Sequence, residues 1–458
     1  MKYFSVINRF SILLAMAVLM TVQPNATFAA ECPCDIYKEA GTPCVGAYST
    51  ARRLSSDYTG PLYQVRRSSD QQTKDIPQLP DGYADASVQD EFLGNGAGTI
   101  SKLYDQSGKN NYLTVAKKGS YSGTASQNDK EANAKGKSFM INGHKAYAVY
   151  INPVEGYRNN QENYSGYPAT APLGEGIPTG NQPQGTYALE DGSRPNVGNA
   201  CCFNFGTASR NNAAGPRGGM NALFFGTCTY WDRGAGSGPW FMVDIEGGVS
   251  AGMRNNNNLP SSRFDFAFGL TKNSSNNMAI RVANATAGVT GSPKMVTAYD
   301  GNPVAPWNVP GGITLGIGGD NSNSSNGTFY EGCIVAGRPS DATDDLILKN
   351  VQAARYGATD VLTLPGVKDR VTTHIFKVRY NPSNASAVIS YSLQDAWHVT
   401  MNIFDQQGRQ VAAIVDGVIP AGRNKAVWNT KRVPAGVYVC RIVIEGRNGW
   451  AERIVIGK

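Results

Sequence analysis

Glycine and proline interrupt this chain so often, 52 and 24 times in 458 residues, that no amphipathic helical repeat runs far. What survives between the interruptions is short and alternates apolar with polar residues, the period of a strand. Only 17% of residues are charged, and asparagine and serine crowd the intervals, as turns require. The pattern predicts an all-β protein. One segment, 341–358, reads as a helix, acidic at its start and ending in Arg355 and Gly357. Residues 31–60 read as a cysteine-containing, loop-like start, and 153–200 as a long aperiodic loop, which in a compact domain is usually functional or disordered.

The length suits one large domain and a smaller one. Lys2 and Arg9 precede an apolar run at 12–22 and small residues at 26–30. This is the layout of a secretory signal peptide over 1–30 and is too short for a membrane span. The expected localisation is therefore secreted or cell-surface. A catalytic domain is predicted over 31–365 and a linker over 366–372. Over 373–458, seven strands at 375–379, 387–392, 399–404, 410–415, 425–428, 436–444 and 451–456 predict an Ig-like β-sandwich.

Charge excludes one class of function. The formal net charge is +7. Residues 366–458 hold 13 Lys and Arg against 6 Asp and Glu, and the first 30 residues hold +2, which leaves −2 for 31–365. The large domain lacks the basic, aromatic-interleaved face of a nucleic-acid binder. Export permits disulfides among Cys32, Cys34, Cys44, Cys201, Cys202, Cys228, Cys333 and Cys440. Their spacing fits no zinc pattern, and histidines are few, at 144, 374 and 398. No metal and no organic cofactor is expected.

Two segments present carboxylates suited to chemistry. Read as a strand, 240–246 places Phe241, Val243 and Ile245 on one face and Trp240, Met242, Asp244 and Glu246 on the other, before Gly247 and Gly248 end it. In 313–321, Ile313, Leu315 and Ile317 make a core face, and Thr314, Gly316 and Gly318 an almost bare one ending at Asp320. Glycine in a strand often marks close approach of a ligand. Neighbouring carboxyls push their pKa values apart, as a nucleophile and a proton donor require. The bland alternatives remain open at this point: a half-exposed strand with two solvated acids, and a turn-forming Asp-Asn. Adjacent Cys201 and Cys202 have different partners or join each other; if joined, they offer a hard surface to a sugar face. Trp231 and Trp240 are either sugar platforms or core.

These residues, with Cys34-Asp35-Ile36-Tyr37, Tyr104-Asp105-Gln106-Ser107-Gly108, Gly156-Tyr157-Arg158-Asn159-Asn160, Ala200-Cys201-Cys202-Phe203, Val243-Asp244-Ile245-Glu246, Gly316-Ile317-Gly318-Gly319-Asp320-Asn321 and Gly327-Thr328-Phe329-Tyr330-Glu331-Gly332, keep their order over 34–358. The stretch resembles the catalytic domain of glycoside hydrolase family 54, the α-L-arabinofuranosidases of the B type. The resemblance implies a concanavalin-like β-sandwich and a retaining, exo-acting hydrolase that releases terminal arabinofuranose from arabinoxylan or arabinan. It implies Glu246 as nucleophile and Asp320 as general acid/base. Cys201, Cys202, Trp231, Asp244, Gly247 and Gly319 would line the sugar site, with disulfides Cys34–Cys44 and Cys201–Cys202. Gly247 departs from the family, where asparagine is common. Cys228 and Cys333 are expected to pair with each other. Residues 373–458 resemble the C-terminal sorting domains of type IX secretion, which implies secretion machinery or the cell surface as a partner; a plain Ig-like module is the alternative. A monomer is expected. The rival functions are a non-catalytic carbohydrate-binding surface protein and an exo-glycosidase with β-xylosidase activity.

Overall fold

The structure, a computed structural model, describes residues 31–120, 126–159, 174–210, 212–287, 295–359, 377–393, 397–406, 409–420, 422–444 and 450–457. The predicted signal peptide and the linker at 366–372 lie outside these residues. The chain divides into two compact units, 1–360 and 361–458.

Two large antiparallel sheets build the first unit, beside a two-stranded one of Ser138–Ile141 and His144–Tyr147. One has seven strands, ordered Cys44–Ser49, Gly327–Ala336, Gln184–Glu190, Ala267–Ser274, Asn277–Asn284 and Val296–Gly301, with Val149–Ile151 also paired to Gly327–Ala336. The other has ten: Val249–Ser250, Trp240–Asp244, Asn221–Gly226, Asn204–Ala208, Gly312–Leu315, Tyr157–Asn159, Leu113–Val115, Gly98–Leu103, Tyr63–Arg67 and Thr73–Ile76. Their facing side chains form the main core, which includes Tyr48, Phe205, Phe225, Phe241, Val243, Ile313 and Leu315. The sheets approach so closely that a Cβ on Gly269 would lie 2.2 Å from the Phe241 ring opposite. The apolar face predicted for 240–246 thus points into the sandwich, and the carboxylate face points away from it.

A second core backs the outer face of the seven-stranded sheet. Ile347, Leu348 and Val351 of helix Asp341–Ala353 pack there with Ile36, Tyr37, Tyr187, Phe268 and Tyr330. Ser340 caps this helix by accepting from the Thr343 N–H. The helix ends at Ala353, short of the expected 358, because Arg355 turns into the left-handed region at φ 59°. Residues 31–60 are loop-like only in part. Helix Pro33–Glu39 runs directly into strand Cys44–Ser49, and a further helix spans Ala86–Leu93. Nor is 153–200 one long loop. Strand Gln184–Glu190 lies inside it, buried along its whole length at the centre of a sheet. A strand covered on both faces has no alternation to reveal it.

The second unit is a sandwich of the predicted kind. Lys377–Asn381, Ser386–Leu393 and Gly422–Asn429 form one sheet. Gln410–Ile419, Trp397–Phe404, Gly436–Ile444 and Trp450–Ile456 form the other. Ile389, Met401, Ile403, Trp428 and Ile442 fill it, and Trp428 meets Tyr438 edge-on at 5.3 Å.

Candidate active site

Strand Trp240–Asp244 stops two residues earlier than its alternation suggests. A turn closed by Ile245 N–H donating to the Gly248 carbonyl (3.2 Å) follows it. Glu246, Gly247 and Gly248 all take positive φ, at 59°, 78° and 143°. Left-handed backbone is strained for a glutamate, and such outliers cluster at functional sites. Glu246 therefore reaches the same side as Asp244 through this turn rather than by period-two alternation.

The turn opens a cavity of about 290 Å³ above the outer face of the ten-stranded sheet. Every predicted sugar-site residue lines it: Cys201, Cys202, Trp231, Asp244, Glu246, Gly247, Gly319 and Asp320. Ala214, Met220 and Ser322, which sequence reasoning did not single out, line it as well. Trp240 does not. It is buried, with its indole N–H donating to the Ala235 carbonyl (2.8 Å), and belongs to the core.

The three carboxyls are held differently. Both oxygens of Asp244 are engaged: Asn204 Nδ2 donates to one (2.9 Å) and the Glu246 N–H to the other (3.0 Å). Asp320 accepts from the Ser322 N–H at 2.9 Å. Glu246 Oε2 is buried and accepts from no group among the described residues. Burial, then Asp244 and then Asp320 push the Glu246 carboxyl up to about 8, against the attraction of Arg158. Burial raises Asp244 to about 6, opposed by its two donors.

Glycine at 319 leaves room for Glu246, which a side chain there would displace. A Cβ there would lie 2.1 Å from Glu246 Oε2. Of the bare face expected at Thr314, Gly316 and Gly318, only Gly318 lines the cavity. A side chain at 316 would strike Ile151, and one at 318 would strike Ser322 Oγ. The loop is held from below by Arg158, which is 1% exposed. Its guanidinium donates to the carbonyls of Ser209 (2.6 Å), Gly318 (2.7 Å) and Gly319 (2.7 Å). Arg158 lay inside a recognised motif, yet nothing in the sequence marked it as the support of the Asp320 loop. Its alternation with the inward-facing Tyr157 was the available signal.

Cys201 and Cys202 are bonded to each other across a cis peptide. Ser322 lies against them, with Oγ 3.7 and 3.8 Å from the two sulfurs. Cys34 and Cys44 form the second disulfide. The expected Cys228–Cys333 pair does not exist. Cys333 lies in the helix-side core, 3.8 Å from Cys34 Sγ, whereas Cys228 packs in the core between the sheets and donates to Asn199. The seven-stranded sheet separates them.

Residues 33–357 match the family model described as alpha-L-arabinofuranosidase B, catalytic, and 380–457 match that of a secretion system C-terminal sorting domain. The alpha-L-arabinofuranosidase B of Aspergillus oryzae is 41% identical over 82% of this chain and 73% of its own length. Two solved structures agree in fold. A mutant GH54 α-L-arabinofuranosidase soaked with 4-nitrophenyl α-L-arabinofuranoside is 37% identical, with a TM-score of 0.64 over 80% of this chain and 73% of that one. An arabinofuranosidase complexed with arabinofuranosyl-α-1,2-xylobiose is 33% identical, with a TM-score of 0.65 over 88% of this chain and 85% of that one. The chain is a member of the alpha-L-arabinofuranosidase B family, glycoside hydrolase family 54.

Proposed function

We infer that this chain is an exported, retaining, exo-acting α-L-arabinofuranosidase, with Glu246 as nucleophile and Asp320 as general acid/base. Family membership supports the activity. The observation that carries the assignment of roles is the difference between Asp244 and Glu246. Asp244 has both oxygens engaged, whereas Glu246 presents to the cavity a buried oxygen with no partner among the described residues. Only the second is free to bond the anomeric carbon.

In the first step Glu246 attacks that carbon while Asp320 gives a proton to the departing glycosidic oxygen. In the second, Asp320 takes a proton from water, which displaces Glu246 and restores the anomeric configuration. Asp244 fixes the nucleophile's main chain. The Gly318–Gly319 backbone, tied down by Arg158, fixes Asp320. The vicinal disulfide and Trp231 supply apolar walls for the sugar ring. At position 247 a Cβ would meet nothing within 4 Å, so this chain has open space where an asparagine would offer hydrogen bonds. Terminal arabinofuranosyl groups of arabinoxylan or arabinan are the substrate this reading favours. The sorting-type C-terminal domain supports delivery to the cell surface or beyond.

Turnover of 4-nitrophenyl α-L-arabinofuranoside by the wild type, Glu246→Ala and Asp320→Ala tests the reading. Both variants should fold and lose at least about a thousandfold in kcat/KM. Azide should then separate the roles. With Glu246→Ala it should attack in place of the nucleophile and give the inverted glycosyl azide. With Asp320→Ala it should trap the covalent intermediate and give the retained one. A folded but inert wild type would move the binding-protein reading ahead, and faster turnover of the β-xyloside would favour the xylosidase.

A further inference from the structure

We propose that Tyr230, with the outer face of Trp231, forms a second sugar-binding subsite just outside the arabinose cavity, which receives the pyranose ring that carries the arabinofuranosyl group. The proposal rests on the arabinofuranosidase reading and extends it to the leaving-group side.

Trp231 belongs to the cavity wall, with its indole seated on Gly248, where a Cβ would lie 2.8 Å from Cδ1. Tyr230 stands outside that wall. Its ring meets Trp231 edge-on at 5.1 Å and 88°, and it is 72% exposed, more than any other large hydrophobic residue among those described. Water gains nothing from such a ring, and an exposed aromatic pair continuous with a ligand cavity marks a contact surface.

The pair is also held rigidly. On one side, the Thr227 N–H donates to the Asn196 carbonyl (2.9 Å) and Thr227 Oγ1 accepts from the Gly198 N–H (2.9 Å). On the other, the buried Asp232 carboxylate accepts the N–H groups of Arg233 (2.8 Å), Ala251 (2.9 Å) and Asn255 (2.8 Å). A backbone clamped at both ends lowers the ordering cost of presenting these aromatics on binding. An exo-acting cavity closed around one pentose leaves the rest of the substrate at its mouth. The C–H face of a pyranose is the surface that an exposed tyrosine ring fits.

The experiment compares two substrates. Methyl α-L-arabinofuranoside has no second ring, and an arabinofuranosyl-substituted xylo-oligosaccharide has one at the mouth. Tyr230→Ala should lower kcat/KM on the oligosaccharide about fivefold and leave the methyl glycoside unchanged, whereas Tyr230→Phe should behave as wild type on both. Equal ratios for the two substrates in Tyr230→Ala would overturn the proposal, as would a Tyr230→Phe variant that falls as far as Tyr230→Ala. A wild type inert on both substrates would sink the arabinofuranosidase reading instead, so the two failures are distinguishable.

Discussion

Behind the seven-stranded sheet, buried charges meet their opposites; above the ten-stranded sheet, like charges face one another. On the helix side, Lys272 donates to Asp341 (2.5 Å) and Asp344 (2.6 Å), and Arg281 to Asp344 and Asp345 (both 3.0 Å). Arg52 grips Glu331 with two bonds, at 2.6 and 2.8 Å, and Tyr187 and Tyr356 donate to the same carboxylate. On the cleft side, Asp244, Glu246 and Asp320 line one cavity, and the nearby buried cation, Arg158, is directed at main-chain carbonyls. The first arrangement satisfies each charge. The second leaves a carboxyl oxygen unsatisfied where a sugar carbon would arrive. An unsatisfied carboxyl that opens on a cavity, in place of one met by its opposite charge, separates a site of chemistry from a structural cluster.

Removing that carboxyl's charge should have the largest effect and should act on activity and stability in opposite directions. Glu246→Gln should lose at least about a thousandfold in kcat/KM. It should also melt higher than the wild type, in a pH-dependent way. The unfolded carboxyl ionises near its ordinary 4.5 and the folded one only near 8. Below 4.5 both are protonated and the penalty is absent. Between the two values it grows with pH, and above 8 it is constant. The Tm advantage of the variant should therefore widen from pH 5 to pH 8. An advantage that is flat with pH would mean that the carboxyl is not held against its charge.

The helix-side cluster should respond in the opposite sense. Glu331→Gln keeps the shape but turns an amide N–H₂ toward donors from Arg52 and the two tyrosines. A buried pair broken on one side loses roughly 3–5 kcal/mol. The urea midpoint should fall with an unchanged m-value, while kcat per folded molecule stays at the wild-type level. A fall in kcat would show that the two clusters are coupled through the sheets.

The sequence exposed the chemistry more readily than the framework around it. Asp244, Glu246 and Asp320 stood out because carboxylates beside glycine-cleared backbone are unusual in a strand, and all of them line the cavity. The strands of the second unit were legible because one face of each is covered and the other wet, so period two survives. Strand Gln184–Glu190 was not, since burial on both faces erases the alternation. Helix Pro33–Glu39 spans seven residues, too few for a 3.6 period to register. Glu246 was assigned to the right face for an incomplete reason: its direction is set by a left-handed turn that alternation cannot describe. The cysteine pairing failed at Cys228 and Cys333 because partners are set by which core each residue enters, and the residues between them give no sign of the intervening sheet.

Arg158 provides the finest test, because it acts on the cleft both by its charge and by the backbone it holds. Its charge holds the Glu246 carboxyl below where burial alone would put it, and its forked donors hold the Gly318–Gly319 backbone. Lysine keeps the charge and loses the fork; methionine loses both. Arg158→Lys should lower kcat/KM about tenfold, through a loosened Asp320 loop, and leave the acid limb of the pH profile in place. Arg158→Met should lower activity further and move the acid limb to higher pH, because the nucleophile of the free enzyme then ionises later. A purely structural arginine would reduce activity in both variants without moving the limb in either. A limb that moves only with methionine would show that the buried charge, as well as the geometry it holds, is part of how this cleft keeps its nucleophile ready.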